Sequence, residues 1–471
     1  MGVGVVPMPE GGQEVAPRVQ PMTRKVPVKG LLRCYKIRMY PTPEQRELLD
    51  TWMRAANWSY NQAVERLQRD HLKRGNTIEL RKEITVKEKV PVHSAWVLKV
   101  ACRIRNRAVQ QAVDAQNINL RKKRTTGKDF RLQFRSRAKD PTRCVILEKG
   151  RSGPVKGFKM IENGSNNKQK TLFGVTVSWG TGGLGEGVDK VIKLRDKRKI
   201  AKRVIEDGPL AEDAKLIYDR RVGVYWLSVT LDVPVKEGRV NADTARVVAL
   251  DPGTTVFNTY YSPDGSHGEL LMGELAHLKN CVTKIDLLKS QIDNERNTRD
   301  TQLLYGDKGR VSHRKYCRRR RQMKLKINRI SHHMRCRMTN AHYDAIHVLL
   351  DSYDFLVVPK FETSKMVKKA ERVVNSKVAR AMYTWAHFKF RQRLTSKVEM
   401  DRSKYMRIVG EPGTSKTCGN CGKWNKNLGG KKVFKCEMHG GCGVEMGRDI
   451  NGARNNLLAE LTYVLNVTHS I

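Results

Sequence analysis

The chain has 471 residues, of which 39% are hydrophobic, enough for about two to four domains with real cores. Lysine and arginine number 91 against 47 aspartates and glutamates, a formal net charge of +44. Such a charge repels itself in a compact state unless a polyanion neutralises it, and nucleic acid does so by releasing counterions. No run of about 18 apolar residues occurs, which excludes a helical membrane span. Residues 1–30 lack the apolar stretch of a secretory signal and read as a disordered basic tail, with Arg18, Arg24, Lys25 and Lys29 a candidate nuclear-import patch. Of ten cysteines, six are scattered and four cluster, a pattern expected of a reducing compartment with one metal site.

Leu31 to Met39 alternates as a strand does. Thr42-Pro43-Glu44-Gln45 then predicts a helix start, with Thr42 as N-cap, Pro43 in the first turn and Gln45 closing a capping box. Leu48, Leu49, Trp52, Ala55, Ala56, Tyr60 and Ala63 follow at helical spacing, which argues for core packing rather than base stacking by Trp52, Trp58 and Tyr60. A second helical region is predicted from about Ser94 to Lys123. From Phe130 to about Pro234 the pattern turns strand-like, clearest at 175–179 and 225–231. The intervening Gly180–Gly187 run lacks the Gly-Lys-Ser/Thr ending of a phosphate loop and reads as a hairpin loop.

Arg246 to Asp251 begins a different region: a buried apolar strand that ends in Asp251-Pro252-Gly253. Very basic helical sequence runs from about Leu275 to Leu350 and includes Arg314, Lys315, Arg318, Arg319, Arg320, Arg321 and Lys324, candidates to touch nucleic acid. Arginines at four successive positions cover all sides of a turn, so some must face solvent or phosphate. Phe355–Val358 and Tyr405–Val409 read as further strands, and Arg448-Asp449-Ile450-Asn451 opens a final helix.

Two constellations carry chemistry. Cys418-Gly419-Asn420-Cys421-Gly422 is a thiolate knuckle, and Cys436 and Cys442 form a wider second one. Four thiolates suit one tetrahedral, closed, structural Zn²⁺, with His439 an alternative ligand to Cys442. Asp251 at a strand end and Asp449 at a helix start are carboxylates able to converge on Mg²⁺, two ions of which can clamp the attacking and leaving oxygens of a phosphodiester. Asp-x-Gly-Thr-Thr after an apolar strand also fits actin-like ATPases, but no further glycine-rich phosphate loop follows.

Four segments together resemble a family: Tyr35 through Gln45, Leu250-Asp251-Pro252-Gly253, Thr414 through Gly422, and Cys442 through Asn455. The chain is similar to Fanzor proteins, the eukaryotic and viral relatives of the transposon-associated TnpB nucleases, over nearly all of residues 31–460. The resemblance implies an α+β multidomain chain. A wedge-like β-barrel (31–42 and 125–240) would carry a helical recognition insertion (43–124). A split RNase H-like, RuvC-type α/β nuclease domain (241–413 and 444–471) would carry an inserted zinc ribbon (414–443). It further implies an RNA-guided DNA endonuclease in the nucleus, with a guide RNA and double-stranded target DNA as partners, two Mg²⁺, one structural Zn²⁺, and a short motif read beside the target. The catalytic set would be Asp-Glu-Asp. In TnpB the glutamate directly follows the second strand, where this chain has Pro359. Glu411, after the third strand, is the preferred replacement, as in Fanzor proteins, and Glu362 the alternative. An RNA-guided DNA-binding protein with an inactive nuclease and a guide-free zinc-ribbon DNA-binding protein are the competing readings.

Overall fold

The structure, a computed structural model, describes residues 31–69, 74–136, 140–147, 159–163, 172–176, 191–195, 213–241, 244–305, 309–367, 374–410, 415–426, 428–436 and 440–468. The tail 1–30, the strand reading at 177–179, the Gly180–Gly187 run, Glu411 and His439 lie outside these residues.

The N-terminal half is built on a seven-stranded antiparallel sheet. Its strands are β1 (Leu31–Tyr40), β2 (Thr142–Leu147), β3 (Lys159–Asn163), β4 (Leu172–Thr176), β5 (Val191–Arg195), β6 (Ala214–Asp219) and β7 (Val224–Val233), in the order β2-β6-β7-β1-β5-β4-β3. Among the described residues no pairing joins β2 to β3, so the expected barrel is seen as an open sheet. Helix α1 (Pro43–Arg69) starts as its sequence predicts. The Thr42 amide donates to Gln45 Oε1 at 2.9 Å and the Gln45 amide donates to Thr42 Oγ1 at 3.3 Å. Trp52 and Tyr60 are buried in the core that α1 shares with the sheet. A short α2 (Thr77–Ile84) follows. The helix expected from Ser94 is broken: Val92–Lys99 is 3₁₀, Val100 is extended (φ −99°, ψ 137°), and only then does α3 (Cys102–Thr126) begin. The Val100 amide closes the 3₁₀ turn on Val97 O at 3.1 Å, ending it before an α-helical register is set. α3 stops at Gly127, whose φ of +67° suits a glycine C-cap.

The second half holds a five-stranded sheet, β10-β9-β8-β11-β12, made of β8 (Val247–Pro252), β9 (Asn258–Tyr261), β10 (His267–Leu270), β11 (Phe355–Pro359) and β12 (Tyr405–Val409). β8, β11 and β12 run parallel, while β9 and β10 fold back antiparallel. Between β10 and β11 lie two long helices, α4 (Glu274–Tyr305) and α5 (Gly309–Ser352), and between β11 and β12 come α6 (Thr363–Met366), α7 (Ser376–Trp385) and α8 (His387–Val398). A two-stranded ribbon, β13 (Val433–Lys435) with β14 (Glu445–Gly447), precedes the last helix, α9 (Arg448–Thr468). β14 ends past residue 443, so the ribbon hairpin reaches directly into α9.

Alternation along the central strands buries both faces, as parallel strands require. Val248, Leu250, Leu356 and Val358 face α5, α7 and α8, whereas Ala249, Val357 and Val409 face Leu457 of α9. A single carboxylate staples the N-terminal edge of the parallel strands. Asp354 accepts from the Arg246 backbone amide and Nε, both at 3.1 Å, and from Lys404 Nζ at 2.9 Å. The Arg246 guanidinium holds its carboxyl well below the usual range. Among the described residues, no helix is long and apolar enough to cross a membrane.

Candidate metal centres and nucleic-acid interface

The parallel register fixes where Asp251 falls. Ala249 lies opposite Val357, and Pro359 opposite Val409. Two residues on from Ala249, Asp251 is therefore level with Pro359 and Val409, in one row at the C-terminal edge and on the α9 side of the sheet. Helix α9 closes over that row. A Cβ built on Gly452 would stand 2.5 Å from Asp251 Oδ2, so only glycine lets the helix approach the carboxylate this closely. Asp449 sits three residues earlier, on the same helix face and in the first turn, where the helix dipole favours an anion. Arg448 Nε donates to Asp449 Oδ1 at 3.0 Å. The structure thus brings Asp251 and Asp449 to one corner. Their hard oxygens, only partly buried, suit a cation that keeps water and substrate oxygens.

The third carboxylate is less simply placed. Pro359 occupies the β11 position of the row and has no ligand atom. Glu362 precedes the short α6 and pairs with Lys360 at 3.1 Å. Glu411 lies outside the described residues, and β12 carries the chain to Val409, at the same edge, two residues before it. β12 is fastened to α9 by Arg407 and the buried Glu460, at 3.2 Å.

The four cysteines of the knuckles converge: their sulfurs lie within 4.8 Å of one another, with Cys418–Cys442 and Cys421–Cys436 each at 3.6 Å. Zinc–sulfur bonds of about 2.3 Å in a tetrahedron need sulfurs about 3.8 Å apart, so the cage fits Zn²⁺. Hydrogen bonds from Asn420 and the Val444 backbone lower the Cys442 thiol towards the thiolate form a metal requires. All ten cysteines are free of disulfides.

Asparagines of α9 lock this cage to the carboxylate corner. Asn451 Nδ2 donates to Thr417 O at 2.7 Å, its Oδ1 accepts from the Gly419 amide at 2.9 Å, and Asn455 Nδ2 donates to Thr417 O at 2.7 Å. Asn456, fully buried, donates to Leu250 O at 2.9 Å, just before Asp251. Sequence reasoning assigned these residues no role. Three asparagines within one helix turn and a half, where the residue is a poor helix former, were the available signal.

The basic run divides on folding. Arg319 pairs with Glu295 of α4 at 2.7 Å, and Arg318 is exposed. Arg320, Arg321 and Lys324 line a cleft of about 1000 Å³, whose opposite wall carries Arg143, Arg220 and Arg221 from the N-terminal sheet. Asp140 is the one acidic residue among those lining it. Arg314 and Lys315 lie on α5, with side chains outside the described residues. On that wall Arg143 is buried and pairs with Asp50, and Arg221 pairs with Asp219, so part of its charge is neutralised within the protein.

Residues 387–456 match a family model described as the Cas12f1-like TNB domain, and residues 31–76 match one described as a helix-turn-helix domain. In this chain the latter stretch is β1 followed by one long helix. The chain is 27% identical over 447 residues to the putative transposase A625R of Paramecium bursaria Chlorella virus 1, covering 92% of this chain and 88% of that protein. It is 25% identical over 430 residues to the TnpB-like protein L770 of Acanthamoeba polyphaga mimivirus, covering 90% of this chain and 72% of that one. Similar solved structures include a Cas12f1–sgRNA–target DNA complex (14% identity, TM-score 0.48, 91% of this chain and 99% of that chain). They also include the mini-RNA-guided endonuclease CRISPR-Cas_phi3 (11% identity, TM-score 0.46, 92% of both).

Proposed function

We propose that this chain, similar along most of its length to TnpB-like proteins, is an RNA-guided DNA endonuclease of RuvC type. The observation that carries the reading is the corner where Gly452 admits the Asp251 carboxylate against the helix that begins with Asp449. Asp251, Asp449 and Glu411 would hold the metal, with Glu362 the alternative to Glu411. Two Mg²⁺ ions bound there supply charge neutralisation and alignment for hydrolysis of a target phosphodiester. The chain's own part is positional. β8 and α9 present the two aspartates, Asn456 fixes the strand that carries Asp251, and the asparagine-anchored cysteine cage, read as a structural Zn²⁺ site, holds the start of α9. The cleft between α5 and the N-terminal sheet supports a guide RNA held by its phosphates, with pairing to target DNA delegated to that RNA. Nuclear location is part of this proposal and rests on the family resemblance.

A second reading has its own observation: Pro359 stands in the row where a carboxylate would complete the set, which favours a guided DNA-binding protein without cleavage. The test is to co-express the chain with RNA encoded beside its gene, sequence the RNA that co-purifies, and assay Mg²⁺-dependent cutting of a target flanked by random sequence. Wild type is expected to cut and Asp251→Asn, Asp449→Asn and Glu411→Gln to bind without cutting. If Glu411→Gln still cuts, Glu362 takes its place. A defined RNA without cutting supports the guided binder, and absence of any defined RNA supports a guide-free zinc-ribbon protein.

A further inference from the structure

Behind the Asp251 turn lies a buried aromatic cluster that the proposed chemistry does not use. The Phe257 ring is sandwiched between two imidazoles, His342 and His387, each with centroids 5.0 Å away and planes at 23° and 7°. Phe390 meets the same ring edge-on at 4.9 Å. His387 Nε2 lies 2.9 Å from Gly253 O, and Trp385 Nε1 donates to Thr254 O at 2.9 Å. Two consecutive carbonyls, two and three residues beyond Asp251, are thus taken by side chains from the α7–α8 junction.

The junction itself is held firmly. His342 is fully buried and takes Arg393 Nη1 on Nδ1 at 2.5 Å, so its Nε2 carries the proton and donates to Trp385 O at 2.9 Å. Arg393 is anchored in turn on Thr339 Oγ1 at 3.0 Å. Ala386, between Trp385 and His387, is left-handed at φ 51°, ψ 48°, an uncommon conformation for a residue with a Cβ. That twist lets Trp385 and His387, neighbours across two helix ends, both reach the same turn. His387 Nδ1 is buried without a hydrogen-bond partner, so the ring's polar contribution is spent wholly on Gly253. Such local costs are kept where surrounding structure over-determines them, most often beside functional sites.

We infer that His387 and Trp385 are positioning residues that set the turn after Asp251, and through it the direction of the Asp251 carboxylate. The inference rests on Asp251 being a metal ligand only for its second half. His387 donates Nε2–H to Gly253 O, and Gly253 donates its amide to Phe257 O at 3.2 Å. The ring that the imidazoles sandwich therefore belongs to the residue that closes the turn.

Two variants separate positioning from packing. His387→Phe keeps the stacking on Phe257 and removes the donor, whereas His387→Gln keeps an N–H donor and removes the ring. Both are measured in the full-length chain by hydrogen–deuterium exchange over residues 251–257 and by Mn²⁺ binding in electron paramagnetic resonance, with Asp251→Asn as reference. His387→Phe should raise exchange in this segment and weaken Asp251-dependent Mn²⁺ binding by about tenfold, the scale of one buried hydrogen bond, with His387→Gln restoring most of both. Unchanged exchange in His387→Phe overturns the inference, as does an equal rise at the far edge of the sheet or a failure of His387→Gln to restore. If wild type binds no Mn²⁺ through Asp251, the metal reading falls, and the exchange measurement alone decides whether His387 sets the turn.

Discussion

At the scale of single residues, glycine and histidine carry consequences their sequence context hides. Gly452→Ala forces a methyl group against Asp251 Oδ2, and either the carboxylate or α9 must move. Cleavage should fall by about a hundredfold or more, since a misplacement near 1 Å at a reacting centre costs that much, while guide RNA affinity holds. Wild-type cutting by this variant would remove the close approach from the argument. Burial pushes His342 down to about 3 and His387 to about 4. Both stay neutral when folded, whereas the unfolded chain takes up protons near 6.5. Their neutral packing therefore stabilises fully above about pH 6.5 and is lost as pH falls toward 4, by up to ~1.4 kcal/mol per histidine per pH unit. Urea midpoints at pH 7 and pH 5 check this: the drop should be smaller in His387→Phe than in wild type, and an equal drop would assign it elsewhere. Asp251 and Asp449 were legible because an apolar strand ending in Asp-Pro-Gly and an Arg-Asp helix start stand out. His387 was not, because a histidine at a helix start, seen in sequence, is indistinguishable from one facing water.

At the scale of elements, the strands and helices were largely written in local patterns: the capping box of α1, the apolar runs of β8 and β11, and the cysteine knuckles. What local pattern could not give was contact between distant pieces. Asp354 stapling Arg246 and Lys404, or Asn451 gripping both sides of Cys418, joins residues far apart in the chain. The break before α3 leaves no local mark, because no glycine or proline stands between Ser94 and Lys123, and only the turn's hydrogen bonding reveals the end. The Asn451 and Asn455 contacts make the ribbon and α9 one mechanical unit. One zinc per chain is expected by elemental analysis. Its removal by a chelator should open 415–447 to protease and slow cleavage by at least about tenfold, as ribbon folding and metal binding are the same free energy. A chelated chain that stays protected and cuts at full rate would separate the two.

At the scale of the whole molecule, the charge of +44 is distributed rather than uniform. The two halves touch through defined contacts, such as Arg33 Nη2 donating to Ser396 O at 2.6 Å, and the cleft between them gathers Arg320, Arg321, Lys324 and Arg329 against Arg220. RNA affinity should fall log-linearly with salt, and replacing Arg320, Arg321 and Lys324 together by alanine should flatten that slope by about 2–3 units, since each lost phosphate contact removes roughly 0.7–0.9. An unaltered slope would move the RNA off this cleft. The positions of these cations were visible in sequence; the opposing wall was not, because Arg143, Arg220 and Arg221 are scattered in the chain and only the sheet gathers them.

The corner holding Asp251 needs α9, which follows every other element in sequence, whereas both walls of the cleft are complete once α5 exists. A ribosome releases the chain in that order, at about 5–20 residues per second. On the proposed reading, the basic cleft would therefore be finished on the growing chain before the carboxylate corner, so that a guide RNA would find its seat before the chain is able to cut DNA.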